Sequence, residues 1–397
     1  MRWPAAWKTE ALGLLKNTPI NCLLMENGAD HGPVAEQARR DGLAVAARQP
    51  MGVTLTDGEW PGIRIETRRG GVGAGPTGPP WLDSNGWRAR LALALHPGDA
   101  VWINAPPKGQ PSPDVFAMAF ADAAAYGGRW VISLDDATAD AISRKDARAL
   151  DGWKKLIDAA RFFDARKDWA EYTPGAVVGV VSDFTGGHEY LSSEILNLLA
   201  RANQQYRVIV KSEISDVSWK GLRAILYADP EAPPPALRRE IEALAAGGKL
   251  LIAPPQWGRV AGPPARDQEH PRYDIRVAGK GRIAIAKAEP EDPYTLANDS
   301  VLLVSHRYDL VRFFNAGAVE STLALARNGK GALLHLLFYA DRGPEDASLW
   351  IAGRYRSARL WTMDRPEARD LPIAPGRDGI EVRLPPVSQY AAVELEI

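Results

Sequence analysis

The segment GAVVGVVSDF, residues 175–184, decides the fold of this chain. Its apolar run followed by polar residues is typical of a buried parallel strand that ends in a loop. Downstream, strand-like runs alternate with helix-like runs, at residues 193–203, 206–210, 222–227, 235–246 and 249–253. This alternation predicts a doubly wound α/β unit whose loops gather at the carboxyl ends of its strands.

Residues 1–172 precede this unit and also alternate between the two kinds of run. Such alternation favours a parallel sheet or a β/α barrel. The strand-like runs are residues 20–25, 43–47, 53–56, 63–66, 100–104 and 130–134, and the helix-like runs are residues 33–40, 87–96 and 113–126. Six strands are fewer than the eight of a complete barrel. We therefore predict a reduced or irregular β/α barrel.

The last part of the chain changes to a period of two. STLALARNGKGALLHLLFYA, residues 321–340, predicts a hairpin with Asn-Gly at its turn. Short strand-like runs continue to the end, which predicts a small β-sandwich. The expected domains are thus residues 1–172, 173–317 and 318–397.

Composition sets the class of protein. Of the 397 residues, 46% are hydrophobic and 24% are charged, as in a globular protein, and the net charge is -1. Because no long basic run exists, nucleic acid is not expected as a partner, and no apolar run is long enough to cross a membrane. The start of the chain lacks the apolar core of a signal peptide, which fits a cytoplasmic protein or an exported one whose signal has been removed.

One loop stands out between a strand-like and a helix-like run: GPTGPPWLDSNGW, residues 75–87. Polar and aromatic loops in this position hold the ligand sites of many α/β proteins. Trp81 and Trp87 suit the apolar face of a sugar ring, and Asp83 and Asn85 suit its hydroxyls. The alternative is that both Trp residues anchor the core and that Asp83 or Ser84 caps the next helix.

These segments resemble the bacterial glycoside hydrolases related to the trimeric β-galactosidases, which combine a β/α barrel, an amidotransferase-like domain and a small β domain. The barrel part of that family is resembled by residues 60–66, 75–87 and 125–136, the amidotransferase-like domain by residues 179–210 and 221–257, and the C-terminal β domain by residues 333–342, 357–363 and 380–397. The resemblance covers nearly the whole chain and implies a carbohydrate substrate. The N-terminal part is shorter than the barrel usual in the family.

Glycoside hydrolysis usually requires two carboxyl groups that flank the scissile bond. In a β/α barrel they lie at the carboxyl ends of strands. Glu26 and Glu66 are the first candidates, followed by Asp135 and then Asp57. Each of them taken alone is more often a helix cap, a salt-bridge partner or a solvated loop residue than a catalyst, but several strand ends marked in this way strengthen the set. Trp60, with Trp81 and Trp87, is expected to form the stacking floor for the sugar.

No metal and no cofactor are expected, since the six His residues include no HExxH motif and no close pair. His188 and Glu189 follow a strand, where a doubly wound domain binds ligands, although a helix-capping pair is the simpler interpretation. Cys22, the only cysteine, lies in an apolar run, so the amidotransferase-like domain lacks a nucleophile. That domain is expected to serve packing or to form a homo-oligomer.

The function predicted from the sequence is therefore a glycoside hydrolase that acts on an oligosaccharide or polysaccharide. The alternative is a non-catalytic glycan-binding or assembly protein that keeps the architecture of a hydrolase. An amidotransferase-type hydrolase is disfavoured because the nucleophilic cysteine is missing. Two carboxylates that converge in one Trp-lined cleft would distinguish the first possibility from the second.

Overall fold

The computed structural model describes residues 1–25, 32–63, 66–68, 71–73, 82–107, 109, 112–266, 268–289, 292–340 and 343–397, of which 66–68 and 71–73 are described by their backbone. The chain is a mixed α/β protein. Its α-helices within these ranges are α1 (Pro33–Arg40), α2 (Gly86–Leu95), α3 (Pro113–Ala125), α4 (Asp136–Ser143), α5 (Ala147–Asp164), α6 (Glu189–Arg201), α7 (Pro235–Ala246) and α8 (Pro293–Val304). Helices α1, α3, α7 and α8 begin with proline, which is favoured there because the first helical N–H has no intrahelical partner.

The N-terminal region, residues 1–172, contains short strands between its helices. They are β1 (Cys22–Leu24), β2 (Ala44–Ala46), β3 (Val53–Asp57), β4 (Gly62–Ile63), β5 (Glu66–Arg68), β6 (Gly71–Gly73), β7 (Leu82–Asp83), β8 (Ala100–Asn104) and β9 (Arg129–Trp130). Strands β1 and β2 form one parallel pair, and β3, β8 and β9 form a parallel sheet. Arg2 connects the β1–β2 pair to the segment after β9. It forms a β-bridge with Leu24 of β1 and donates its backbone N–H to the Ile132 carbonyl at 2.8 Å. Within the described residues these strands do not close into a barrel.

The parallel strand expected near residues 63–66 is replaced by two antiparallel pairs. Strand β4 pairs with β7, and β5 pairs with β6. Glu66 is therefore the first residue of a hairpin strand, and it does not stand at the carboxyl end of a parallel strand. The sequence was misleading here because apolar alternation over a few residues is the same in both kinds of strand.

The middle region, residues 173–310, is built on one large sheet. After β10 (Thr173–Pro174), its strands are β11 (Val178–Ser182), β12 (Tyr206–Val210), β13 (Ala224–Tyr227), β14 (Leu250–Ala253), β15 (Tyr273–Ala278) and β16 (Gly281–Ala286). Their order is β12-β11-β13-β14-β16-β15, and every pair is parallel except β15 with β16. Helices α6 and α8 pack on one face and α7 packs on the other. The chain reverses its direction of growth between β12 and β13, on either side of β11.

The C-terminal region is antiparallel throughout. Its strands are β17 (Val311–Phe314), β18 (Val319–Leu325), β19 (Gly331–Phe338), β20 (Ser348–Ala352), β21 (Ser357–Thr362), β22 (Arg365–Leu371), β23 (Ile373–Gly376), β24 (Gly379–Arg383) and β25 (Tyr390–Glu396). One sheet has the order β10-β18-β19-β25-β21-β22 and the other β17-β20-β24-β23, and a single apolar core contains residues of both. The predicted hairpin is present as β18 and β19, with Gly329 at a positive φ of 69° in its turn. Strand β17 precedes the predicted boundary at residue 317.

Cys22 begins strand β1 and is 9% exposed. Burial raises the pKa of its thiol, so the reactive thiolate is disfavoured. We expect Cys22→Ala to keep any enzymatic activity and to lower the free energy of unfolding by about 1 kcal/mol, because a small buried side chain is shortened. Urea unfolding measures the loss, and a large fall in turnover with unchanged folding would contradict a purely structural role.

Candidate functional site

A cleft of about 950 Å³ lies where the N-termini of α2, α6 and α8 meet. We call it the Trp87 cleft. Helix α6 follows parallel strand β11 and α8 follows β16, so the cleft lies at the carboxyl edge of the middle sheet, where α/β proteins bind ligands. It is lined by aromatic side chains, Trp87, Tyr190 and Tyr294, and by carboxylates, Glu59, Asp83, Glu189, Glu194 and Asp292.

The aromatic side chains offer open surface to a ligand. Tyr190 is 76% exposed and Tyr294 is 41% exposed. Trp87 is half-buried, because it packs partly against the core of the middle region. The guanidinium of Arg88 lies over its ring, 4.5 Å from the centroid, and is held by Glu59 Oε1 at 3.0 Å. On this side of the cleft, the Trp87 ring therefore lies next to the charged side chains of Arg88 and Glu59.

Asn197 of α6 is a mostly buried polar residue among those that line the cleft. The residue is 4% exposed, and its Nδ2 donates weakly to Glu194 Oε1 at 3.4 Å. Its buried Oδ1 has no hydrogen-bond partner within the described part of the chain.

The structure separates the residues predicted to bind sugar. Asp83 and Trp87 line the Trp87 cleft, whereas Trp81 lies outside the described residues. Trp60 packs edge-on against Phe116 and Trp130, with centroids 5.0 and 5.1 Å away, and donates its indole N–H to the Pro106 carbonyl. Asn85 is fully buried. Trp60 and Asn85 are therefore engaged within the protein.

Asn85 lies behind the cleft and holds Glu59, one of the lining residues, in place. Its Oδ1 accepts from the Glu59 N–H and its Nδ2 donates to the Glu59 carbonyl, both at 2.8 Å. Its backbone N–H and its Nδ2 also donate to Asp122 Oδ2 on α3, again at 2.8 Å. Asn85, the residue before α2, is thus hydrogen-bonded both to the loop after β3 and to the middle of α3.

The predicted catalytic carboxylates occupy different settings. Asp57 is the last residue of strand β3 and is exposed. Its partner across the sheet, Asn104, accepts a hydrogen bond from Arg2 Nε at 2.9 Å. Asp135 caps α4, since its Oδ1 accepts the Thr138 N–H. Glu26 lies outside the described residues, directly after Met25, as does the side chain of Glu66. Strands β3, β8 and β9 are parallel, so Asp57 and the segment that leads from β9 to Asp135 follow the carboxyl ends of one sheet, whereas β1, which precedes Glu26, belongs to the separate pair with β2.

A second pair of carboxylates is buried beneath the cleft. Ser84, which lines the cleft, donates to Glu320 Oε1 at 2.9 Å. Tyr339 donates its hydroxyl to Asp122 Oδ1 at 2.7 Å and lies 3.3 Å from Glu320 Oε2. Burial raises the pKa of Asp122 to about 6 and that of Glu320 to about 7, and the negative charge of Asp122 contributes to the second shift.

The location of this pair indicates a structural role. Both carboxylates are fully buried, and they join α3 of the N-terminal region to β18 of the C-terminal region. The single Tyr339 proton, when donated to Asp122, leaves the phenolic oxygen free to accept the proton of a neutral Glu320. The sequence did not single out either residue, because a lone acid within an apolar helix or strand gives no sign of a partner far along the chain.

Among the residues that the structure describes, one group of side chains has the spacing needed to hold a metal ion. Ligand atoms of Asp183, His188 and Asp229 lie within 4.8 Å of one another. They follow strands β11 and β13 of the middle sheet. The sequence predicted that His188 follows a strand, but it gave no sign that His188 lies close to Asp229.

Comparison with known proteins gives matches in structure and none in sequence. No protein-family model matches the chain, and no curated protein is similar to it in sequence. Among the described residues, no helix has both the length and the apolar character needed to cross a membrane.

Three solved structures illustrate the fold likeness. The β-galactosidase of Bacillus circulans sp. alkalophilus is 11% identical with a TM-score of 0.53, and the match covers 78% of this chain and 57% of that one. The cold-adapted β-galactosidase of Rahnella sp. R3 is 10% identical with a TM-score of 0.52, covering 95% and 63%.

The third is the α-L-fucosidase isoenzyme 2 of Paenibacillus thiaminolyticus, which is 11% identical with a TM-score of 0.52, covering 78% of this chain and 62% of that one. The chain thus spans about 60% of the length of these structures. The resemblance to the β-galactosidases that the sequence suggested is confirmed at the level of the fold.

Proposed function

We propose that this protein is a glycoside hydrolase whose carbohydrate substrate binds in the Trp87 cleft. One observation carries the proposal: Trp87, Tyr190 and Tyr294 line a single cleft together with carboxylates and Asn197. Aromatic faces suit the C–H face of a sugar, and polar acceptors suit its hydroxyls. The fold likeness to β-galactosidases and a fucosidase supports carbohydrate as the ligand class.

The catalytic pair is proposed to come from the carboxyl edge of the N-terminal strands. Glu26 is the first candidate, and its partner would be Asp57 or Asp135 from this edge, or else Glu66, which begins the hairpin strand β5. The Trp87 cleft begins at Glu59, two positions beyond Asp57, so a bound glycan could extend from the cleft to this edge. One carboxyl group would protonate the leaving oxygen, and the other would act as nucleophile or activate water.

A substrate screen tests the proposal. Purified protein is incubated with a panel of aryl glycosides and of plant and microbial polysaccharides, and the released aglycone or reducing sugar is measured. We expect hydrolysis of at least one class of glycoside. Binding of a glycan without hydrolysis of any member would replace the proposal with a non-catalytic glycan-binding function.

Tyr190→Ala is expected to weaken substrate binding without unfolding the protein. The side chain is 76% exposed, so little packing is lost, whereas a stacking surface in the cleft disappears. We expect KM to rise several-fold with a smaller change in kcat. Phe314→Ala is the matched control, because Phe314 is 50% exposed on β17, outside the cleft. Equal effects of the two variants would argue against the cleft as the binding site.

We further propose that residues 1–172 form a reduced or irregular β/α-barrel-like domain, residues 173–317 an amidotransferase-like domain, and residues 318–397 a β-sandwich. The parallel order of the middle sheet, with helices on both faces, supports the second assignment. The two packed antiparallel sheets support the third, with a start that includes β17. Self-association through the middle domain is part of this proposal.

A further inference from the structure

A compact group of charged side chains stands at the carboxyl edge of the middle sheet. Asp183 follows β11, Lys211 follows β12, and Asp229 lies just beyond β13, while His188 lies in the short turn before α6. Strand β11 is the point at which the order of strands reverses. In doubly wound sheets, ligands bind in the crevice that opens at this point.

The two aspartates present one oxygen each to His188 and the other to Lys211. His188 Nε2 is 2.6 Å from Asp183 Oδ1 and 3.1 Å from Asp229 Oδ1. Lys211 Nζ is 2.8 Å from Asp183 Oδ2 and 2.5 Å from Asp229 Oδ2. An imidazole N–H makes a well-aligned hydrogen bond to one acceptor only. Hydrogen bonding by His188 therefore does not explain why two carboxylate oxygens lie close to its Nε2.

We propose that Asp183 Oδ1, His188 Nε2 and Asp229 Oδ1 bind a divalent transition-metal ion. Ligands about 2.1 Å from such an ion are separated from each other by roughly 3–3.5 Å. The three atoms lie within 4.8 Å of one another, with His188 Nε2 at 3.1 Å from Asp229 Oδ1 and at 2.6 Å from Asp183 Oδ1, so a small outward movement of Asp183 would admit the ion. One imidazole with two carboxylates suits Zn²⁺ or Mn²⁺ better than the all-oxygen sites that Mg²⁺ and Ca²⁺ prefer.

The surroundings of His188 support this assignment. Its second ring nitrogen, Nδ1, lies 3.5 Å from Glu231 Oε2. A carboxylate at the far nitrogen is the usual partner of a metal-binding histidine, because it fixes the tautomer and the direction of the ring. Asp229 is fully buried and also accepts from the Ser182 hydroxyl, which holds it in place.

The charges of the group balance a divalent ion. Asp183, Asp229 and Glu231 carry three negative charges, and Lys211 offsets one of them, so two remain while the imidazole is neutral. Asp183 and Glu231 are 41% and 66% exposed, which leaves the site open to solvent. The loop from Asp183 to His188 includes Gly186 and Gly187, which line the Trp87 cleft. A bound ion would therefore fix one wall of that cleft.

Metal titration of the whole chain tests the inference independently of any hydrolase activity. Protein treated with a chelator and then dialysed is titrated with ZnCl₂ by calorimetry, and thermal unfolding is followed in parallel. We expect one Zn²⁺ per chain, a rise in Tm, and no displacement by equimolar Mg²⁺. His188→Gln and Asp183→Asn should each lower the affinity by about tenfold or more.

His306→Gln is the matched control, because His306 also pairs with an aspartate, Asp309 at 2.9 Å, but is 66% exposed and lies outside the group of Asp183, His188 and Asp229. It should bind Zn²⁺ as the wild type does. The inference is overturned if the wild type binds no Zn²⁺, if folded His188→Gln and Asp183→Asn bind it equally well, or if His306→Gln removes the binding. Circular dichroism establishes that the variants are folded.

Discussion

Replacing Glu26 by Gln is expected to lower the turnover of a glycoside substrate by about three orders of magnitude or more, since a positioned acid, base or charge that stabilises the transition state contributes an effect of this size. Gln has nearly the same shape but can neither carry the negative charge nor transfer a proton. Substrate binding should be largely kept. The measurement is kcat and KM on the aryl glycoside that the wild type hydrolyses best.

Glu36→Gln is the matched control for this prediction. Glu36 is an exposed residue in the first turn of α1, close along the chain to Glu26 but on a helix. Its replacement should leave kcat within about twofold. If Glu26→Gln retains wild-type turnover, Glu26 is not catalytic, and the same measurement on Asp57, Asp135 and Glu66 variants then identifies the pair.

Glu320→Gln is expected to flatten the dependence of stability on pH. Burial raises the pKa of Glu320 from 4.5 to about 7, so the folded protein keeps a proton that the unfolded chain has lost. This contribution to the free energy of unfolding is fully present below pH 4.5 and is lost as the pH rises to about 7, on the order of a few kcal/mol. Gln cannot ionise, so the variant should not lose this stability.

Urea unfolding of both proteins at pH 5 and pH 8 measures the effect. His335 opposes it in the wild type, because burial lowers its pKa to about 3 and stability is lost as the pH falls below 6.5. Both proteins contain His335, so the difference between them isolates Glu320. Glu367→Gln, an exposed replacement on β22, serves as the control. An identical pH dependence of wild type and Glu320→Gln would show that Glu320 titrates as it does in the unfolded chain.

Much of the middle sheet could be predicted, because local pattern and tertiary environment agree there. The apolar run that includes Val178 predicts a buried parallel strand, and the structure has one there, β11, in which every residue is buried. The Asn-Gly pair at residues 328–329 predicted the hairpin of β18 and β19 for a local reason as well. Glu66 shows the limit, since its three-residue strand takes its direction from a partner that the sequence pattern does not reveal.

The candidate site divides in the same way. Asp83 and Trp87 were found because they share one loop, whereas Tyr190, Tyr294 and Asn197 were missed. These three come from α6 and α8, which reach the cleft only after the middle sheet has formed. Likewise, parallel strands β11 and β13 end side by side, which brings together Asp183, His188 and Asp229. These residues are far apart in the sequence, so no short motif predicts the group.

The structure of Glu26→Gln with an intact glycoside tests the central claim most directly, since a variant that binds without hydrolysing holds the whole substrate. The account predicts a sugar ring in contact with Trp87 and a glycosidic bond between residue 26 and a second carboxylate. Their separation should be about 5–9.5 Å. A glycoside bound away from the Trp87 cleft, or no second carboxylate within about 10 Å of residue 26, would contradict it.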